Sequence, residues 1–171
     1  MNRPTIHGIP YEPADEVLPG LWLGNRYAAL DPKWHAEKNI KAVFNCTKDI
    51  PFLPNVQRRY RISVDDNLEP EEIRNMELWA YEIVYKMTRE YETGQPMLVH
   101  CAAGMQRSAA AIALFLIATR NMTVDQAIHF IQSKRAIAFT PSANFGKSLE
   151  GFYNSYQRDI APAVMNFRNR S

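Results

Sequence analysis

His100-Cys101-Ala102-Ala103-Gly104-Met105-Gln106-Arg107-Ser108 decides the reading of this 171-residue chain. Gln95-Pro96-Met97-Leu98-Val99 precedes it, a short apolar run that predicts a buried strand. Ala109 to Thr119 follows, almost wholly apolar and Ala-rich, which predicts a buried helix. A strand ends, a short turn follows and a helix begins, with Cys101 at the start of the turn and Arg107 at its end. That arrangement suits an oxyanion. Successive backbone N–H groups can converge in a concave nest, and a helix N-terminus adds partial positive charge. Gly104 gives backbone freedom in mid-turn. Arg107 supplies a planar fork that matches two phosphate oxygens. The same surroundings lower the pKa of a thiol, so Cys101 is expected to be a thiolate able to attack phosphorus. The Ser108 hydroxyl is placed to stabilise that sulfur as a leaving group.

Size and composition bound the rest. The length fits one domain, large enough to bury a core without a disulfide or metal staple. The apolar fraction of 46% is ordinary for a globular protein. The longest apolar stretch, within Ala109–Ala118, is too short to span a bilayer. Residues 1–17 lack the apolar core of a secretory signal. Two cysteines, one of them assigned to chemistry, argue for a reducing compartment, so an intracellular location is expected, cytoplasmic or nuclear. A formal net charge of +2 with no long basic block does not single out nucleic acid. Neither a metal-ligand cluster nor a cofactor motif is seen, so no cofactor is expected.

Working outward, residues 1–16 form an N-terminal arm. Pro4, Pro10 and Pro13 and the lack of periodicity predict an extended or loosely packed segment, one able to lie on the domain or exchange in a homodimer. Residues 17–160 are the folded domain. Leu21-Trp22-Leu23 reads as a strand after a Pro19-Gly20 turn. Asp31-Pro32 starts a short helix over 34–39, and 40–47 is the next strand. Cys46 in that strand reads as a small core residue. Residues 58–64 are another strand. Its three Arg fit a solvated face, with attraction of an anion as the alternative. Asp65-Asp66-Asn67 follows. Glu69-Pro70-Glu71-Glu72 opens a long helix, with Ile73, Met76, Ala80, Ile83, Val84 and Met87 at helical spacing. Thr123-Val124-Asp125-Gln126 is a capping box for a further helix. The last helix is expected to end near Asp159. Residues 161–171 read as a polar tail ending in Arg168 and Arg170. The alternation of strands and helices predicts an α/β domain with a central twisted mixed sheet flanked by helices.

His-Cys-x-x-Gly-x-x-Arg-Ser resembles the signature of the cysteine-dependent protein tyrosine phosphatase superfamily, and with its flanks it looks like the dual-specificity branch. The resemblance spans roughly residues 17–158. Leu18-Pro19-Gly20-Leu21-Trp22-Leu23-Gly24 is similar to the branch's first strand, and Ile62-Ser63-Val64-Asp65-Asp66 to the loop carrying its general acid. It implies Cys101 as nucleophile, Arg107 as phosphate ligand, Asp66 as acid and then base, and Ser108 as the aid to thiolate departure. Ala102, Ala103, Gly104, Met105, Gln106 and Arg107 would bind the phosphoryl group. His100 would orient the loop without transferring protons, and Asn144, with Arg135, would buttress it. A bell-shaped pH profile follows from a deprotonated Cys101 and a protonated Asp66. Cys46 could pair with Cys101 in a regulatory disulfide, as in some relatives. Asn25-Arg26-Tyr27 echoes a phosphotyrosine-recognition tripeptide of the tyrosine-specific branch, but at a position wrong for that role. The implied function is a small, atypical phosphatase acting on phosphotyrosine and phosphoserine/threonine in proteins. One alternative is the same chemistry on RNA 5′-phosphates or phosphoinositides. A second is a non-catalytic phosphate-binding module.

Overall fold

A computed structural model describes residues 3–170, apart from the side chains of Arg168 and Arg170. The chain opens with a small antiparallel pair, β1 (Thr5–Ile6) and β2 (Ile9–Pro10). β3 (Ala14–Leu18) and β4 (Leu21–Gly24) form a hairpin. Two short helices follow, α1 (Arg26–Ala29) and α2 (Pro32–Lys38). Asp31 caps α2 through Lys33 N and Trp34 N, with Pro32 in its first turn, as Asp-Pro predicts. β5 (Ala42–Asn45), β6 (Arg58–Arg61), α3 (Pro70–Glu92) and β7 (Met97–His100) come next. α4 (Arg107–Arg120), α5 (Val124–Lys134) and α6 (Gly146–Ser155) complete the body. The Thr123–Gln126 capping box is present at the start of α5.

The five-stranded sheet runs β3-β4-β7-β5-β6. β3 is antiparallel to β4, and the other pairings are parallel, so the sheet is mixed as expected. Its central strands are buried on both faces, and side chains sort by alternation. Trp22, Val43 and Leu98, in register across three strands, face the layer holding Ala29 and Trp34. Leu21, Leu23, Ala42, Phe44, Met97 and Val99 face the larger core under α3, α4, α5 and α6. α4 lies inside that core and is buried continuously from Ser108 to Ile117. Ala109, Ala110 and Ala111 leave room for neighbouring backbones to approach it. The strand and helix that flank the Cys101 turn are therefore the middle of the molecule, and the turn between them is held from every side.

Two boundaries are corrected. Ala14, Asp15 and Glu16, assigned above to a loose arm, pair with Gly24, Leu23 and Trp22 as part of the sheet's edge strand. Val17 beside them is buried in the main core, which anchors that edge. The tail from residue 161 continues as a helix, α7 (Ala161–Arg170). A π-helical turn at Tyr156–Ile160 joins it to α6. The wider turn loosens the hydrogen-bond ladder just ahead of Pro162, whose missing N–H would otherwise break the helix.

Candidate active site

The loop from Cys101 to Gln106 owes its shape to where its carbonyls go. Cys101 O accepts from His100 Nδ1 at 3.4 Å. Ala102 O accepts from Arg26 N at 3.1 Å. Ala103 O and Gly104 O accept from Arg135 Nη2 and Nε at 3.3 and 2.8 Å. Met105 O accepts from Phe139 N at 2.9 Å, and Gln106 O from Ala110 N at 2.8 Å. Each carbonyl is thus drawn outward by a donor. In a trans peptide the following N–H points the opposite way, so the amides of residues 102–107 turn toward the centre of the loop. An inward row of amides at the start of α4 is an anion cup.

Gly104 makes the curl possible. Its φ is +67°, and a Cβ there would stand 2.7 Å from Gly24 O and 2.9 Å from Arg135 Nη2. No side chain fits between β4 and the Arg135 guanidinium.

Cys101 sits at the bottom of the cup, 2% exposed, with Sγ 3.1 Å from Ser108 Oγ. Burial pushes its thiol up. The Arg107 charge, the Ser108 hydroxyl and the amides of Ser108 and Met105 outweigh that and bring it below the ordinary thiol value. Cys46, one residue past β5, shows the contrast: burial, then the proximity of Cys101, drives its thiol strongly upward, so it stays a neutral core group. Both cysteines are free.

Arg107 extends from the first residue of α4. Its Nη1 donates to Val64 O at 3.1 Å, which holds the side chain across the end of β6. Its Nε is buried and makes no hydrogen bond among the described residues, leaving a donor for an oxyanion. His100 is 1% exposed, and burial lowers its pKa to about 4, so the ring is neutral near pH 7. Its part is the bond to Cys101 O.

The two adjacent aspartates separate clearly. Asp65 faces Lys48, with Oδ2 3.1 Å from Nζ, and its backbone N donates to Glu72. Asp66 accepts instead from Asn144 Nδ2 at 2.8 Å. Both line an open cleft of about 630 Å³ that also carries Arg107, Ala102, Arg26, Lys48, Asp49, Ile50 and Asn67. Of the adjacent pair, Asp66 is therefore the one with no ion pair among the described residues, in a cleft that it shares with Ala102 and Arg107.

Three expectations change in detail. Asn144 reaches the loop through its backbone, donating to Gln106 Oε1 at 2.9 Å, while its side chain holds Asp66. The Gln106 side chain does not face the cleft. It is buried and donates to Thr140 O and Ser142 O, so it ties the loop to the segment before α6. The three Arg of β6 are partly solvated, with Arg59 exposed as expected, and each is also fastened to the protein. Arg58 grips Glu90 at 2.7 Å, Arg59 donates to Leu53 O and Pro54 O, and Arg61 donates to Thr47 O and Ile50 O. Met105 is buried, so it and Gln106 offer only backbone to the cup. Arg26, Lys48, Asp49 and Ile50 also line the cleft, and no motif in the sequence assigns them to it. A tripeptide set aside as a positional coincidence was the one available signal for Arg26: Asn25 caps α1, and Arg26 N is bonded to the loop.

Known proteins agree with this architecture. Human dual specificity protein phosphatase 13B is 28% identical, across 93% of this chain and 94% of that protein. Other curated relatives are longer, and this chain spans 19% of one and 42% of another. The crystal structure of human DUSP28 superposes with a TM-score of 0.74 at 24% identity, covering 85% of this chain and 96% of that one. PTPMT1 in complex with PI(5)P superposes at 0.70 with 20% identity, covering 88% of this chain and all of that one, a likeness of fold. The profile "Dual specificity phosphatase, catalytic domain" matches residues 21–155, and with the Cys101 loop, the Asp65-Asp66 turn and the sheet in place, the chain belongs to that phosphatase family.

Proposed function

We propose that the chain hydrolyses phosphomonoesters in proteins through a phosphocysteine intermediate. The carrying observation is the cup itself: a thiol lowered by Arg107, below inward amides, 3.1 Å from Ser108. In the first step Cys101 Sγ forms a bond to phosphorus as the ester P–O bond breaks. Arg107 and the loop amides hold the equatorial oxygens, where charge gathers. Asp66 gives its proton to the departing alcohol or phenol. In the second step Asp66 takes a proton from water, the water oxygen bonds to phosphorus and the S–P bond breaks. Ser108 donates to the sulfur as it leaves as thiolate. Atoms and charge balance, and inorganic phosphate is released.

Charge around the cleft favours a protein over a polyanion. Its lining holds three basic side chains, Arg26, Lys48 and Arg107, and three acidic ones, Asp49, Asp65 and Asp66. An RNA 5′-triphosphate or a multiply phosphorylated lipid headgroup meets those carboxylates as well as the cations. A peptide presents one phosphate with mixed charge around it. The β6 arginines, which would make the basic patch for RNA, are already engaged by Glu90 and by backbone carbonyls. Arg26 forms no ion pair among the described residues, so it supports phosphosites flanked by an acidic group.

Phosphate release from a matched panel tests this: a phosphotyrosine peptide, a phosphothreonine peptide, a 5′-triphosphorylated RNA and a phosphoinositide, with Cys101→Ser as blank. Release from both peptides, abolished in the variant, is expected. Release chiefly from RNA or lipid keeps the chemistry and overturns the substrate class. Binding of phosphopeptide with no release from any substrate points to a non-catalytic module.

A further inference from the structure

The catalytic loop is tied to the N-terminal segment through one buried guanidinium. Arg135, the residue after α5, is 1% exposed. Its Nε and Nη2 hold Gly104 O and Ala103 O. Its Nη1 holds Glu12 O at 2.7 Å and Asp15 Oδ2 at 2.8 Å. Asp15 is its ion-pair partner among the described residues. A guanidinium is planar and rigid, so fixing Nη1 fixes the direction of the other two nitrogens. Those two set the outward turn of two adjacent loop carbonyls, and hence the inward turn of the Gly104 and Met105 amides. Gly24 of β4, paired with Ala14 of β3, backs Gly104 from the other side.

We propose that Asp15 is a positioning residue for the phosphate cup: it orients Arg135, and Arg135 orients the loop amides over Cys101. The inference deepens the phosphatase reading and rests on it for its kinetic arm. It makes the edge strand β3 part of the active-site apparatus rather than a sheet margin. A buried cation deprived of its carboxylate re-aims toward remaining acceptors. The loop carbonyls then lose a fixed donor, and the cup loosens although no group touching substrate has changed.

The test uses the full chain with Asp15→Asn, Asp15→Glu and Arg135→Lys, the last keeping the charge but losing the fork. Three quantities are read: thermal midpoint, kcat and KM on a phosphopeptide, and the pH dependence of Cys101 alkylation by iodoacetamide. Positioning predicts that Asp15→Asn and Arg135→Lys move the alkylation midpoint upward by about one pH unit, tenfold in thiolate fraction below it. It also predicts a kcat drop of roughly tenfold, larger than any change in KM. Asp15→Glu restores most of both. A lower thermal midpoint in Asp15→Asn with the alkylation profile and kcat unchanged overturns the proposal and leaves Asp15 a structural ion pair. If Asp15→Asn does not fold, Asp15→Ser decides by the same readouts, since it too leaves the Arg135 fork and the loop sequence intact. Alkylation needs no turnover, so a shifted profile in a chain that releases no phosphate separates failure of the phosphatase reading from failure of this one.

Discussion

Asn144 Nδ2 donates to Asp66 Oδ1 at 2.8 Å, joining two loops that lie 78 residues apart in the chain. The bond fixes one carboxylate of the cleft that Ala102 and Arg107 also line, while the neighbouring Asp65 is turned to Lys48. In the proposed mechanism, proton transfer therefore falls to Asp66. Asp66→Asn is expected to lower kcat on a phosphopeptide by roughly 10²–10⁴-fold, with a much smaller loss on an aryl phosphate whose leaving group needs no proton. Asn144→Ala is expected to lose roughly tenfold with the same leaving-group pattern, since only aim is lost. Asp65→Asn should stay close to wild type. The reverse ranking of the two aspartates would refute the assignment of Asp66.

Ser108 Oγ lies 3.1 Å from Cys101 Sγ, at the buried end of the cup. In the proposed mechanism its contribution belongs to the step in which thiolate departs. Ser108→Ala is expected to slow kcat by roughly 10- to 100-fold, about the worth of one charge-assisted hydrogen bond. kcat/KM, which reports the first step, should change far less. Stopped-flow assays with an aryl phosphate should show a burst of one equivalent of phenol, followed by slow turnover. A mono-exponential approach without a burst would place Ser108 in another role.

Gly104 is confined by Gly24 O and Arg135 Nη2. Gly104→Ala adds a Cβ where backbone already lies, at a φ of +67° that disfavours any side chain. Loss of activity by roughly 10³-fold or more is expected, together with a lowered thermal midpoint. Activity within about tenfold of wild type would show that the loop curls by another route.

His100 is buried and neutral, its pKa lowered by burial to about 4 from an ordinary 6.5. His35, also buried, is lowered for the same reason. The unfolded chain takes up these protons first as pH falls, so stability is complete above about pH 6.5 and is lost on acidification toward pH 4. The sign follows from a folded-state pKa below the unfolded one. For His100 the loss by pH 5 is about 2 kcal/mol. Urea unfolding at pH 7.5 and pH 5 should show a difference that shrinks by about that amount in His100→Asn. An equal difference in both proteins would remove His100 as the source.

Arg26 lines the cleft beside Ala102, with its backbone N bonded to the loop. Arg26→Ala is expected to raise KM several-fold for phosphopeptides with a flanking Asp or Glu, leaving those with neutral flanks unchanged. Raising the ionic strength should erase the difference. A uniform change across both peptide sets would mean that Arg26 supports the loop instead.

Much of the site was legible because it is local. Strand, turn and helix are consecutive in the chain, so Cys101, Gly104, Arg107 and Ser108 can be assigned roles from spacing and backbone chemistry. Helix starts at Asp31-Pro32 and Thr123-Gln126 were legible for the same reason, since a cap acts within four residues. Edge strand β3 was not legible. Ala14, Asp15 and Glu16 follow a proline and carry no apolar alternation, and their pairing with β4 is what orders them. The β6 arginines look like a charged surface until Glu90 and the carbonyls of Thr47 and Ile50 are brought to them.

By itself, the sequence determined which chemical groups meet at the loop: a thiol at the end of a buried strand, a glycine where the loop must curl, a guanidinium and a hydroxyl at the start of a buried helix. Those properties depend on covalent order and on local backbone geometry. Only the tertiary structure decided what aims them. Asn144 meets Asp66 across 78 residues and Arg135 meets Asp15 across 120, and no local pattern records either contact. Both are made by closure of the sheet and packing of α5 and α6 around α4, where loss of chain entropy is offset by burial of the core rather than by the contacts themselves.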